Sequence, residues 1–437
     1  MNYLRFNKQL QFVSIFILVI LSWCVLESKR TTNPYYFDEV SWICNSRVWG
    51  ELIQGRWHSP IWTEDVVQRL NPQLSKYILG AWTYAKYGQT GFDVFGCPGW
   101  GSLMFISGLV ALNSRQQEVL FWARIPMMLC GIISIVLIYI LAAVLFDKIT
   151  GFFASLLTLF NPLFLVSVNR SMPDSLLLML MLIFLLCLFR QTRQEKNIFN
   201  HFLLLTDLGL GTLLGLAVST KTYGLILIAI LLALIVLQNV SPVLKSHPHR
   251  LRTLGVSISN LFLVMVTMIS VIYILNPVLG TSPTSLFTWI GDWKRFQTDL
   301  QHLPQNAAII LTSPRYRLLE IWKSFVRPGT WNTFQTTLVS ILLISVGTGI
   351  CIYKTITKWQ KRSNSYAILL TWVILFILSM IFYVPFKFER YYLPLIPPLL
   401  ILEALPFALL LRYLFQLFRI NLKNQPGITY FINWFFM

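Results

Sequence analysis

The stretch 121–145 reads FWARIPMMLCGIISIVLIYILAAVL, and it decides the fold class. Its one charged residue is Arg124, and an apolar run of this length can cross a bilayer as a helix. Comparable runs lie at 11–26, 149–168, 173–190, 202–219, 222–238, 255–275, 336–353, 366–384 and 391–411. The sequence therefore predicts an all-helical polytopic membrane protein with about ten spans, forming a single integral membrane domain over residues 1–437.

Composition supports this class, because 56% of the residues are hydrophobic, 12% are charged, and the mean hydropathy is +0.64. The net charge of +18 would suggest nucleic acid as a partner of a soluble protein. Here the Lys and Arg residues are scattered through the loops and form no basic stripe. We therefore expect contact with the lipid bilayer and with anionic substrates, and no nucleic acid.

The distribution of basic residues predicts the orientation. If the N-terminus is cytoplasmic, most basic residues of the short connections lie inside, and the outer side keeps only Arg170, Lys221, Lys387 and Arg390. Two long loops, 27–120 and 276–335, then share the outer side. The first apolar run resembles a signal peptide but lacks a small-residue cleavage site, so we interpret it as a retained helix.

The first outer loop is predicted to carry amphipathic helices that lie on the membrane surface. Its apolar residues have helical spacing, with Val66, Leu70, Leu74, Ile78 and Leu79 as the main series. The glycine-rich window 99–112 is expected to be re-entrant or interfacial, and the tail 428–437 is too short to span.

The six cysteines have no zinc or redox spacing. Four lie in apolar runs, where packing is their expected role: Cys24, Cys130, Cys187 and Cys351. Cys44 and Cys97 both lie in the first outer loop and could pair if that loop faces an oxidising compartment. The sequence leaves this pairing open.

The sharpest candidate for chemistry is Phe37-Asp38-Glu39, an acidic pair beside several aromatic residues just beyond the first helix. A carboxylate with apolar walls and a like charge beside it can act as a general base. The alternative is an acidic helix N-terminus, favoured by the helix dipole on a solvated loop.

Several outer-side cations could bind an anionic headgroup. Lys76 follows the Asn71-Pro72 turn, and Arg170 and Asp174 flank a tight turn between two spans. Lys221 separates two apolar runs, and Arg124 lies near the outer end of its span. Charges at such positions often face a cavity, although each could instead be a snorkelling charge at a helix end.

The segment Phe386–Pro394 packs two cations, an acid and aromatic residues before the last span. It is either an interfacial anchor belt or a clamp on an anionic headgroup. The sequence has no Walker-type phosphate loop, no His-Glu-x-x-His and no Asp-x-Asp pair, so neither nucleotide-driven nor zinc chemistry is expected.

The ordered set of these motifs resembles glycosyltransferase family 39, which has the GT-C fold and includes protein O-mannosyltransferases and aminoarabinose transferases acting on lipid A. The resemblance rests on Phe37-Asp38-Glu39, Asn71–Lys76, Arg124-Ile125-Pro126, Met172-Pro173-Asp174, Thr220-Lys221 and Arg390–Pro394. It covers nearly the whole chain. It implies a GT-C bundle of about ten helices with two large outer loops.

The resemblance also implies an activity, namely inverting transfer of a hexose or pentose from a polyprenyl-phosphate donor, without a cofactor or metal. The acceptor would be a protein, glycolipid or polysaccharide outside the cytoplasm. The implied catalytic residues are Asp38 and Glu39. The implied lipid-phosphate ligands are Lys76, Lys221, Arg124, Arg170 and Arg390, and Asp174 and Tyr391 would contact the sugar or the acceptor.

Where mannosyltransferases of this family typically have His-Pro-Pro-Leu, this chain has Asn71-Pro72-Gln73-Leu74, a departure that argues against mannose as the specific sugar. The expected location is a bacterial plasma membrane, with the site on its outer face. A flippase or transporter of lipid-linked sugars is the alternative, and it predicts broken helices with charges near the bilayer midplane.

Overall fold

The computed structural model describes residues 2–57, 59–62, 69–97, 112–193, 201–243, 250–277, 279, 285–302, 310–311, 313–326, 338–357, 365–382 and 388–421. Most of the predicted window 99–112, the tail 428–437, Val66 and Lys387 fall outside these ranges. Within the described ranges the regular secondary structure is helical.

Nine of these helices lie between residues 2 and 168. They are α1 (Asn2–Arg30), α2 (Phe37–Asn45), α3 (Val48–Ile53), α4 (Leu74–Tyr87), α5 (Thr90–Asp93), α6 (Ser114–Ala123), α7 (Ile125–Leu145), α8 (Lys148–Leu159) and α9 (Pro162–Val168). The other nine are α10 (Asp174–Arg193), α11 (His201–Thr220), α12 (Ile226–Val243), α13 (Arg250–Leu275), α14 (Ser285–His302), α15 (Pro314–Val326), α16 (Leu338–Thr357), α17 (Ser365–Phe382) and α18 (Ile396–Asn421). Short 3₁₀ turns lie at Pro60–Trp62, Thr222–Leu225 and Glu389–Leu395.

Five helical segments among the described residues are long and apolar enough to cross a membrane. They are Gln11–Arg30, Ser114–Leu145, Ile258–Leu275, Val339–Thr357 and Arg390–Leu414. Three shorter apolar helices are Leu205–Thr220, Thr222–Val236 and Tyr366–Phe382. This agrees with a polytopic helical membrane protein, while the number ten stays a prediction.

The predicted span 149–168 is not one straight helix. It is a pair, α8 and α9, bent by 67°. The break has a local cause, because Asn161 accepts a hydrogen bond from the Phe164 backbone N–H at 3.0 Å and Pro162 follows at the first helical position. A capping side chain followed by proline starts a new helix and ends the previous one.

The helices of the bundle differ in how deeply they are buried. In the apolar 18-residue windows of the Ser114–Leu145 and Arg390–Leu414 segments, 61% and 78% of the residues are buried, whereas only 11% are buried in the window of Val339–Thr357. Between helices in lipid, close packing at small residues takes the place of the hydrophobic effect. Gly347 of α16 illustrates this, since a Cβ there would lie 2.0 Å from the Leu402 carbonyl oxygen of α18.

The helices of the first outer loop pack against one another and against the bundle. Trp82 of α4 and Trp122 of α6 stack with ring centres 5.1 Å apart, and each indole N–H donates to the other residue's carbonyl oxygen. A disulfide joins Cys44, at the end of α2, to Cys97. The loop is thus a folded layer that fixes the position of α2.

Candidate active site

Helix α2 begins at the acidic pair that the sequence singles out. Tyr36 precedes it in an extended conformation, and its backbone N–H donates to Glu39 Oε2 at 3.1 Å. Asp38 and Glu39 then occupy the first turn, where the helix dipole favours negative charge. The two side chains point to different surroundings.

Glu39 forms a completely buried ion pair with Arg124. The Arg124 Nη2 atom lies 2.8 Å from Glu39 Oε2, and both side chains are 0% exposed. Arg124 also donates to the carbonyl oxygens of Arg30 at 2.8 Å and Asn33 at 3.0 Å, while the Ser171 backbone N–H donates to Glu39 Oε1 at 2.9 Å. This pair ties the end of α1, the start of α2, the α6–α7 junction and the turn before α10 together.

These contacts differ from the roles that the resemblance implies for Glu39 and Arg124. A catalytic acid must reach a substrate, and a phosphate ligand must present donors to it. Neither side chain is accessible, because each is enclosed and engaged by protein partners. The geometry is that of a structural ion pair.

Asp38 pairs with a cation from the far end of the chain. Arg390 lies in the 3₁₀ turn before α18, and its Nη1 donates to Asp38 Oδ2 at 2.5 Å. The side chains are 10% and 13% exposed, so this pair opens slightly to solvent. The same Nη1 lies 3.5 Å from the sulfur of Met172.

A second ion pair, Lys221 with Asp174, lies beside the first. The Lys221 Nζ donates to Asp174 Oδ1 at 2.6 Å, and the side chains are 17% and 5% exposed. Lys221 is extended between α11 and the next 3₁₀ turn, and Asp174 opens α10. The other carboxylate oxygen, Asp174 Oδ2, is buried and has no hydrogen-bond partner among the described residues.

Two tyrosine rings join these pairs into one group. The Tyr36 ring contacts the guanidinium groups of both Arg170 and Arg390, whose central carbons lie 4.2 and 5.6 Å from its ring centre. Tyr391 lies 4.5 Å from Lys221 Nζ and 5.6 Å from the Arg390 guanidinium. We call Asp38, Arg170, Asp174, Lys221 and Arg390, with the two rings, the charged cluster.

Burial raises the pKa of Tyr36 to about 12, and the nearby Arg390 guanidinium only partly offsets that effect. The phenol therefore stays neutral over the physiological range. Each of the three cations contacts a ring that carries no charge, and attraction between a cation and a ring face lowers the cost of holding the cations close together.

Lys76 occupies a different position from the one expected for an open phosphate ligand. It lies in the first turn of α4, is fully buried, and donates from Nζ to the Asn71 carbonyl oxygen at 3.1 Å. A phosphate could reach this ammonium only if the start of α4 moved.

The sequence nominated the members of the charged cluster but not its pairing. The Glu39–Arg124 contact and the contacts of Tyr36 with two arginines were both missed. Sequence distance explains this, since Arg390 is 352 residues from Asp38 and Arg124 is 85 residues from Glu39. Among the described residues, no three His, Cys, Asp or Glu side chains group together as a metal site requires.

Comparison with known proteins gives both a family likeness and a fold. Residues 103–269 match the dolichyl-phosphate-mannose-protein mannosyltransferase family. No curated protein matches the chain in sequence.

Among solved structures, ArnT of Cupriavidus metallidurans bound to undecaprenyl phosphate is 16% identical, with a TM-score of 0.50. The match covers 90% of this chain and 59% of that one, so this chain spans about three fifths of ArnT. Archaeal oligosaccharyltransferase AglB of Archaeoglobus fulgidus, in complex with an inhibitory peptide and a dolichol-phosphate, is 13% identical, with a TM-score of 0.53. That match covers 99% of this chain and 55% of AglB. At such identities the likeness shows the fold, which is the GT-C architecture that the sequence resemblance implied.

Proposed function

Taking the family likeness of residues 103–269 and the shared fold as the premise, we propose that this protein is an inverting glycosyltransferase. It moves a sugar from a polyprenyl-phosphate donor to an acceptor on the extracytoplasmic face of a bacterial plasma membrane. The observation that carries the proposal is the charged cluster. In it Asp38 of helix α2 pairs with Arg390, Lys221 pairs with Asp174, and Arg170 and Arg390 both contact the Tyr36 ring.

Asp38 is the catalytic base in this proposal. It takes the proton of the acceptor nucleophile, whose lone pair forms the new bond to the anomeric carbon. The bond from that carbon to the phosphate oxygen breaks, and its electron pair leaves with the polyprenyl phosphate. A single displacement of this kind inverts the anomeric centre, and it needs a base at the acceptor nucleophile and cations at the leaving phosphate.

Arg390, Lys221 and Arg170 are the proposed phosphate ligands. With Asp38 and Asp174 ionised, the charged cluster has an excess of one positive charge, which suits a phosphodiester carrying one negative charge. The leaving phosphate gains a second negative charge, so preorganised cations stabilise the transition state more than the ground state. ArnT with undecaprenyl phosphate and AglB with dolichol-phosphate provide precedents for a lipid phosphate on this fold.

Asp174 and Tyr391 are the proposed contacts to the sugar or the acceptor. The buried Asp174 Oδ2 has no hydrogen-bond partner among the described residues, and an unsatisfied acceptor of this kind costs roughly 1–3 kcal/mol. A sugar hydroxyl would supply the missing donor. The Tyr391 ring lies 4.5 Å from Lys221, the partner of Asp174, so it belongs to the same group.

Glu39 and Arg124 are assigned to the scaffold of this site, since their ion pair fixes the first turn of α2. Lys76 is proposed as a phosphate ligand that acts after a movement of α4. The outer location of the site is supported by the basic residues of the short connections and by the disulfide in the first loop, because disulfides persist in oxidising compartments.

The test is turnover of purified protein with radiolabelled polyprenyl-phosphate sugars and candidate acceptors. Asp38→Asn should lower kcat by about 10³-fold or more while leaving donor binding nearly intact. Asp147→Asn is the matched control, because Asp147 also pairs with an arginine, Arg412, at 2.7 Å. Asparagine also caps helices, so the role of Asp147 at the start of α8 is kept.

Wild-type turnover that survives in Asp38→Asn would refute the assignment of the base. If the reconstituted protein moves the lipid-linked sugar across the vesicle membrane without transferring the sugar to an acceptor, the flippase alternative is favoured.

A further inference from the structure

The guanidinium of Arg390 is only partly used by the protein. Its Nη1 donates to Asp38 Oδ2 and contacts the Met172 sulfur, whereas its buried Nε has no hydrogen-bond partner among the described residues. An arginine carries five N–H donors in a planar fork. The protein therefore engages the guanidinium through Nη1, and other N–H donors, including Nε, are not used by the described residues.

Three aromatic rings surround this guanidinium. The ring centres of Tyr36, Phe388 and Tyr391 lie 5.6, 5.0 and 5.6 Å from its central carbon. None of these ring faces can accept a strong hydrogen bond, and an unsatisfied buried donor costs roughly 1–3 kcal/mol. The remaining donors are matched by an oxyanion, since planar arginine forks bind phosphate through paired hydrogen bonds.

We propose that Arg390 couples the catalytic base to the leaving group by holding Asp38 and the donor phosphate at the same time. This inference rests on the proposed function and specifies how its two halves act together. One guanidinium then contacts both the group that gains the proton and the group that gains the electron pair.

The charge balance across Arg390 favours this arrangement. As the reaction proceeds, Asp38 takes a proton and goes from one negative charge to none. The phosphate goes from one negative charge to two, as the carbon–oxygen bond breaks. The total negative charge facing Arg390 stays constant, so the cation needs no new partner while its attraction shifts from the base to the leaving phosphate.

Lys221 provides the contrast within the charged cluster. Its partner is Asp174, and its ammonium is a compact charge without a planar fork. Under this proposal Lys221 mainly holds the donor, so its loss raises the donor KM. Loss of the Arg390 fork lowers kcat instead.

The experiment compares Arg390→Lys with the wild type, measuring kcat and the donor KM separately. Lysine keeps the charge but cannot hold two oxyanions in one plane, so we expect kcat to fall by roughly 10²-fold or more with a donor KM within about threefold. Arg412→Lys is the matched control, because Arg412 lies on α18 and pairs with Asp147. It should keep wild-type kcat.

Chemical rescue of a second variant distinguishes loss of the guanidinium from misfolding. In Arg390→Ala, added methylguanidinium should restore part of kcat, whereas methylammonium should not. An active wild type whose Arg390→Lys variant keeps kcat and only raises the donor KM would overturn the inference and leave the proposed function standing. Equal rescue by methylguanidinium and methylammonium would also overturn the inference. A wild type without transferase turnover would refute both proposals.

Discussion

Replacing Cys44 or Cys97 with serine should destabilise the folded layer formed by the helices of the loop 27–120. The disulfide closes a chain segment with a sequence separation of 53 residues. Cross-linking a segment of that length removes enough loop entropy from the unfolded chain to stabilise the folded state by about 4 kcal/mol. That figure is an upper value where the unfolded chain keeps residual structure.

The location of the bond adds a functional consequence. Cys44 ends the helix that begins next to Asp38, and Cys97 has φ +29°, a conformation that non-glycine residues seldom adopt. Loss of the bond removes a restraint on both the helix and this strained turn. We expect a lower thermal midpoint, faster proteolysis of the first outer loop, and lower kcat.

The assay is thermal unfolding in detergent, with and without reductant, for the two single variants and the double variant. All three should lose the same stability, because either substitution removes the same bond. Cys24→Ser is the control, since Cys24 is a free cysteine on the surface of α1. Additive losses in the double variant, or free alkylation of both thiols in the unreduced native protein, would refute the reasoning.

Two further predictions concern the ion pairs. Lys221→Ala should raise the donor KM roughly tenfold, or about 1.4 kcal/mol, whereas Lys86→Ala, which removes a lysine 4.4 Å from the Trp122 ring, should leave it unchanged in the same assay. Glu39→Gln should lower the free energy of unfolding by about 3–5 kcal/mol, because Arg124 would remain buried without its counter-ion. Glu118→Gln breaks an exposed ion pair of α6 and should change it little, so equal losses in the two variants would contradict this reasoning.

The membrane class was predictable because it depends on composition and run length alone. The break in the span 149–168 was missed, although a capping residue before a proline, Asn161-Pro162, is a local signal that a helix starts. Hydropathy masked that signal, because both halves of the pair are apolar and together have the length of one span.

The candidate site was predictable only as a set of residues. Charges beside apolar runs stand out in a sequence, so Asp38, Lys221 and Arg390 were nominated without any structure. Their partners were not, since Lys221 meets an acid 47 residues away and Asp38 meets a cation 352 residues away. Local patterns carry no information about such pairings, which depend on how the helices pack.

The separation of Asp38 from Glu39 follows from helix geometry. Consecutive residues on a helix point about 100° apart, so an adjacent acidic pair cannot serve one surface. Glu39 turns inward, where Arg124 neutralises it completely out of contact with solvent, and this fixes the rotation of α2 about its own axis. With that rotation set, Asp38 faces the slightly open side and meets Arg390. Because Glu39 is already neutralised, Arg390 has one carboxylate to balance and keeps donors for a second anion, which is the condition that the proposed displacement requires.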